Sequence, residues 1–127
     1  MATKQQIVSE LDTFIERAII KLTVNTTAEL RSAPPVGTPI ATGWARANWI
    51  ARLNTRPSGV AGGSPESVND SESTGSVAGV AASYRLPSKV YISNNVPYIT
   101  FLNEGSSKQT PRGFVQDAIV KALGSIR

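Results

Sequence analysis

The 127-residue chain carries 13 Lys and Arg against nine Asp and Glu, for a net charge of +4, and has neither Cys nor His. That excludes disulfides, thiolate nucleophiles, Cys- or His-built metal sites and a Ser-His-Asp triad, and leaves no side chain that ordinarily titrates near neutral pH. Hydrophobic residues at 40% and charged residues at 17% are a globular composition, in a length that suits one domain over 1–127 with one modest core.

No apolar run approaches the roughly 18 residues a membrane span needs, so no membrane partner is expected. The opening Met1-Ala2-Thr3-Lys4 runs into a charged amphipathic segment rather than a signal peptide, and a cytosolic origin is the simplest expectation.

Residues 3–31 predict one long helix, with Thr3 as its N-cap. Ile7, Leu11, Phe14, Ile15, Ala18, Ile19 and Leu22 recur at three- and four-residue spacing and form one apolar stripe. Asp12 and Glu16 sit four residues apart with no third group to tune them, and read as surface decoration. Pro34 and Pro35 end the helix. A connector from Ala33 to Gly43 follows, with three prolines and two glycines.

From Trp44 to Leu53 the pattern alternates, with Ala45, Ala47, Trp49, Ala51 and Leu53 on one side. That predicts a strand whose beginning could equally be a short helical turn. Asn54 to Thr74 is rich in Gly, Ser and Pro and carries Glu66, Asp70 and Glu72. It predicts a long flexible loop. Its Pro57–Thr74 part is expected to be mobile in the free chain and, in a ring, either to extend from the body as an assembly arm or to be an insertion without a role. Gly75 to Arg85 predicts a short helix and Lys89 to Ser93 a short strand.

Asn95 is the expected cap of a brief helix, with Pro97 in its first turn and Gly105 at its end. Pro97-Tyr98 is expected to anchor the core, with both Tyr98 and Trp49 buried. Thr110-Pro111 opens a last helix with a stripe from Phe114 to Ile126. The expected fold is α+β: a small antiparallel sheet packed by the long N-terminal helix and the C-terminal helix.

Two stretches carry a resemblance. The first is Thr38-Pro39-Ile40-Ala41-Thr42-Gly43-Trp44-Ala45-Arg46-Ala47-Asn48-Trp49. The second runs from Tyr91 to Val115, YISNNVPYITFLNEGSSKQTPRGFV. In order and spacing they resemble the tail-completion, or minor tail protein Z-like, neck proteins of long-tailed bacteriophages. Ala41 stands where that family usually has Asp, and Asn103 separates Leu102 from Glu104, where an acid often follows the leucine directly.

The resemblance implies a non-enzymatic virion protein of the head-to-tail junction, assembled in the bacterial host cytoplasm. It implies a homo-oligomeric ring, expected to be hexameric, between the tail terminator or tail tube and the head-tail adaptor. Genomic DNA would pass through the channel without sequence-specific binding. No catalytic, cofactor or metal residues are implied. The candidate interface or motif residues are Thr42, Gly43, Arg46, Trp49, Asn94, Asn95, Pro97, Tyr98, Glu104, Gly105, Ser107, Gln109, Pro111 and Gly113.

The alternative is a small basic nucleic-acid-binding protein, with Arg46, Arg52 and Arg56 on a DNA-facing surface. A small hydrolase is disfavoured by the missing His and Cys.

Overall fold

A computed structural model describes residues 3–40 and 43–126. The first element, α1, runs Lys4–Leu30. Thr3 caps it in a reciprocal box: the Gln6 amide donates to Thr3 Oγ1, and the Thr3 amide donates to Gln6 Oε1. At 27 residues α1 is about 40 Å long, more than the rest of the chain can cover.

Packing begins only in its second half. Residues 3–15 are all exposed, whereas Thr23, Thr26, Thr27 and Leu30 are buried. Threonine is tolerated at that buried seam because its hydroxyl can bond backward along the helix. Thr27 Oγ1 donates to the Thr23 carbonyl at 2.8 Å, and Thr23 Oγ1 to the Ile19 carbonyl at 2.9 Å.

Next come α2 (Trp44–Ala47) and β1 (Ile50–Leu53), so the predicted strand splits into a helical turn and a shorter strand. Most of its inward set survives the split: Ala45, Ala47, Trp49 and Ala51 are buried and Leu53 is half-buried, while Asn48 of the other side is buried too. β2 (Gly63–Ser64) and β3 (Ser67–Val68) form a two-stranded hairpin of their own. α3 spans Ser71–Ser83, four residues earlier than the pattern predicted, because Asn69 Oδ1 accepts from both the amide and hydroxyl of Ser71 and orders the turn into it.

β4 (Val90–Ser93) pairs antiparallel with β1, Ile50 opposite Ser93 and Leu53 opposite Val90. Asn54 closes the open end of this ladder. Its backbone sits at φ 63°, its amide donates to the Lys89 carbonyl, and its side chain accepts from the Lys89 amide. α4 (Ile99–Asn103) and α5 (Phe114–Gly124) complete the chain.

The architecture is thus α+β as expected: the β1–β4 pair with α1, α3 and α5 packed around it. The buried core is small: Leu30, Trp49, Phe114 and Ala118, extended by the half-buried Ile92, Ile99, Leu102 and Val115. Leu30 of α1, Trp49 of the α2–β1 junction and Phe114 and Ala118 of α5 meet there, so the core forms only when distant segments assemble.

The 54–74 segment does not extend from the body. Asn95 Nδ2 donates to the Pro57 carbonyl, and the Ala61 amide donates to Asn48 Oδ1. Trp44 Nε1 donates to the Gly63 carbonyl, and Ser73 Oγ to the Trp49 carbonyl at 2.6 Å. These bonds pin it along its length. Its acids are dispersed too: Asp70 pairs with Arg31 at 3.4 Å, and Glu72 lies in the first turn of α3, where a negative charge suits the helix dipole.

Candidate subunit interface

The two motif stretches meet. Gln109 bridges them with both ends of its carboxamide: Oε1 accepts from the Ile40 amide at 2.7 Å, and Nε2 donates to the Ile40 carbonyl at 2.8 Å. Beside it, buried Thr110 Oγ1 donates to the Gly37 carbonyl at 2.7 Å. Farther along, Asn94 Nδ2 donates to the Ala45 carbonyl at 2.7 Å, while its Oδ1 accepts from the Val96 amide. In each contact a side chain bonds backbone groups of a distant or neighbouring segment.

Trp49, 5% exposed, is the centre of this scaffold. Its indole N–H donates at 2.8 Å to Thr38 Oγ1, and that hydroxyl donates in turn to the Leu30 carbonyl at the end of α1. Thr38 thereby ties α1 to β1 through one buried hydroxyl.

The motif glycines have conformational reasons. Gly43 and Gly113 take left-handed φ values of 88° and 80° at the entries of α2 and α5. Gly105, at φ 94°, follows α4, and a side chain there would press on Arg112 Cβ at 3.2 Å. Ser107 Oγ accepts from the Gln109 amide and so sets the loop that presents the carboxamide. Thr42 and the neighbouring Ala41 lie outside the described residues.

Tyr98 departs from expectation. It is 39% exposed, and its ring leans on Trp44 with centroids 6.2 Å apart rather than entering the core. Partial burial still pushes its hydroxyl above the ordinary tyrosine value. The reason for its placement is local. Asn94 and Asn95 spend their side chains on tertiary contacts instead of capping, so α4 starts late, at Ile99, and Val96 takes the buried position. Tyr98 itself becomes the α4 cap residue.

Pro97, Glu104 and Pro111 are exposed. Arg46 is half-buried on α2, with its Nε enclosed and without a hydrogen-bond partner. It therefore stands apart from Arg52 and Arg56, which are exposed. Between the two motifs lies a hollow of about 310 Å³, walled by Pro39, Trp44, Tyr98, Leu102 and Gln109 among others. Its lining offers no titratable group except the Tyr98 hydroxyl.

A second concavity, about 590 Å³, lies between α1, α5 and β4 and includes Ile19, Leu22, Tyr91 and Ile119. Lys89 is its one charged lining residue. Among the described residues no three acidic groups gather as metal ligands. No helix is long and apolar enough to cross a membrane.

A run of exposed apolar side chains lies outside the motif residues. Ile7, Val8, Leu11, Phe14 and Ile15 stand on the half of α1 that projects beyond the body, with Leu11 at 55% and Phe14 at 57% exposure. On α5, Ile119, Val120 and Leu123 are exposed as well. The signal was present in the sequence as an angle. Leu11 and Leu30 are 19 residues apart, which puts them about 100° apart around the helix, so a single packing face cannot bury both.

No protein-family model, curated protein or solved structure matches this chain.

Proposed function

We propose that the chain is a structural subunit of the head-to-tail junction of a tailed bacteriophage, acting through its contacts with copies of itself and with neighbouring particle proteins. The observation that carries this reading is the apolar half of α1, projecting from the body with four large hydrophobic side chains, Ile7, Leu11, Phe14 and Ile15, in water. A contiguous apolar patch of that kind marks a contact surface. The resemblance of the two motif stretches to neck proteins supplies the setting.

In that setting the β1–β4 scaffold is the rigid body, and the exposed helices are what neighbours touch. Subunits meet around a closed axis, each covering apolar surface left open by its neighbours. The basic side chains hold the channel wall near the genome without reading its sequence.

The test is removal of the coding sequence from its parent genome, followed by electron microscopy of the lysate. Separate full heads and finished tails are expected, with joining restored by adding the purified chain. Normal particles from the deletion would overturn the reading.

One observation favours the nucleic-acid alternative. Register places exposed Arg52 opposite Tyr91, and Arg56 and Tyr91 border the same concavity, a combination of cation and ring that suits single strands. Salt-sensitive binding of an oligonucleotide, lost in Arg52→Ala/Arg56→Ala, would support that alternative.

A further inference from the structure

The projecting half of α1 has a pattern that selects its own partner. Counted in sevens, Leu11 and Ala18 occupy the a positions, and Ile7 and Phe14 the d positions. Val8, Ile15 and Leu22 fall at e, which widens the apolar face on one flank. Glu10 and Arg17 fall at g, on the other flank. They are seven residues apart, beyond the three- or four-residue spacing at which helix neighbours pair. Neither makes an ion pair among the described residues, whose two bridges are Arg31–Asp70 and Arg85–Glu16. The Glu16–Arg85 contact, at 3.9 Å, marks where the helix leaves the body.

We propose that two copies of this chain associate through these projecting halves, packed antiparallel about a two-fold axis between residues 12 and 13. In that register Leu11 faces Phe14 of the second copy and Ile7 faces its Ala18, each contact occurring twice. Antiparallel helices set e beside e and g beside g. Val8 then meets Ile15 of the second copy on the wide apolar flank. Glu10 meets Arg17 of the second copy on the other, and the reciprocal pair repeats the contact.

The parallel arrangement is disfavoured by the same residues. It would set g beside e, placing Glu10 against Ile15 and Arg17 against Leu22. Lys4 at a and Lys21 at d do not separate the two arrangements, since each would meet its own copy in the parallel pair and the two would meet each other in the antiparallel one. The g-position charges, Glu10 and Arg17, are therefore complementary to each other in the antiparallel orientation only.

The physical need for a partner is plain. A helix of about a dozen residues with no tertiary support is marginal in water, even with the Thr3–Gln6 box closing its end. Pairing covers the stripe and supports the helix at once. An overlap of about a dozen residues is smaller than a standard protein interface, so a dissociation constant on the order of 1–100 µM fits the contact. The pairing stands on the helix alone and holds whichever function the chain serves. Its failure would leave the particle-joining test untouched.

Sedimentation of the full chain, from a few to several hundred µM, tests it with Glu10→Arg, Arg17→Glu and Leu11→Glu. All three positions lie outside the core, and circular dichroism confirms that each variant folds. The wild type is expected to form a dimer. Leu11→Glu should abolish it, and each single charge reversal should weaken it by about tenfold or more.

The deciding sample is the equimolar mixture of Glu10→Arg with Arg17→Glu. Antiparallel pairing makes both g contacts attractive again, so the mixture should recover the wild-type dimer. A wild type that stays monomeric throughout would overturn the proposal. So would a dimer indifferent to the reversals, or a monomer whose helix instead binds phosphatidylglycerol vesicles.

Discussion

Gln109 and Ile40, 69 residues apart in the chain, are joined by two hydrogen bonds of 2.7 and 2.8 Å, one accepted and one donated by a single side chain. Only a carboxamide offers a donor and an acceptor at that separation on one group. Gln109→Glu keeps the acceptor and loses the donor, and Gln109→Ala loses both. The alanine variant is expected to lower folding stability by about 1–2 kcal/mol, with the glutamate variant intermediate. Urea unfolding of the three proteins measures this. Equal midpoints would mean that solvent replaces the clamp at no cost.

Thr38 and Trp49 make a sharper comparison because the contact is buried. Thr38→Val preserves shape and leaves the Leu30 carbonyl the Thr38 backbone amide, but strands the buried indole N–H, and should cost about 1–3 kcal/mol. Trp49→Ala removes the centre of the core and should cost about 3–5 kcal/mol. Because the residues touch, the double variant should lose less than the sum of the singles. Strict additivity in urea melts would show that the hydrogen bond carries no stability.

Tyr98→Ala should be mild. With 39% of the residue in water and its main neighbour the Trp44 ring, the loss is expected to stay below about 1.5 kcal/mol. A larger drop in the thermal midpoint than Trp49→Ala produces would restore Tyr98 to the core role that the motif suggested.

Alkaline pH provides a further test through Tyr84, which is almost fully buried. Burial, and secondarily the Glu16 carboxylate, raise its folded-state pKa above the ordinary value of 10.0. An acid whose pKa is raised on folding holds its proton more tightly in the native state. Its contribution is therefore complete below pH 10 and is lost as pH climbs through the raised value. Stability should fall above pH 10 in the wild type and fall less in Tyr84→Phe. Parallel urea midpoints for the two proteins between pH 8 and 11 would refute the assignment.

The elements were legible where local chemistry governs them. The box at Thr3 and Gln6, the stop near Pro34 and Pro35, the short β4 strand and the α5 stripe are all set by neighbouring residues. Misreadings fell where a side chain had two competing uses. Asn95 looked like a helix cap and instead binds Pro57 across the fold. The 54–74 segment looked free because it has no apolar pattern. It is held by backbone-directed hydrogen bonds, which leave no periodic trace in a sequence.

The apolar stripe of α1 was visible from the first reading, but its destination was not. A helical pattern records which residues share a face and carries no information on whether that face meets its own chain or another. The sequence alone determined that a long helix opens the chain, read over residues 3–31, that Cys and His are absent, and that the fold is α+β with Trp49 buried. Only the tertiary structure decided that Thr23, Thr26 and Leu30 take the packed side while Ile7, Leu11 and Phe14 remain in water. The body is shorter than the helix, and the roughly 100° between the two faces lets the core reach only one of them.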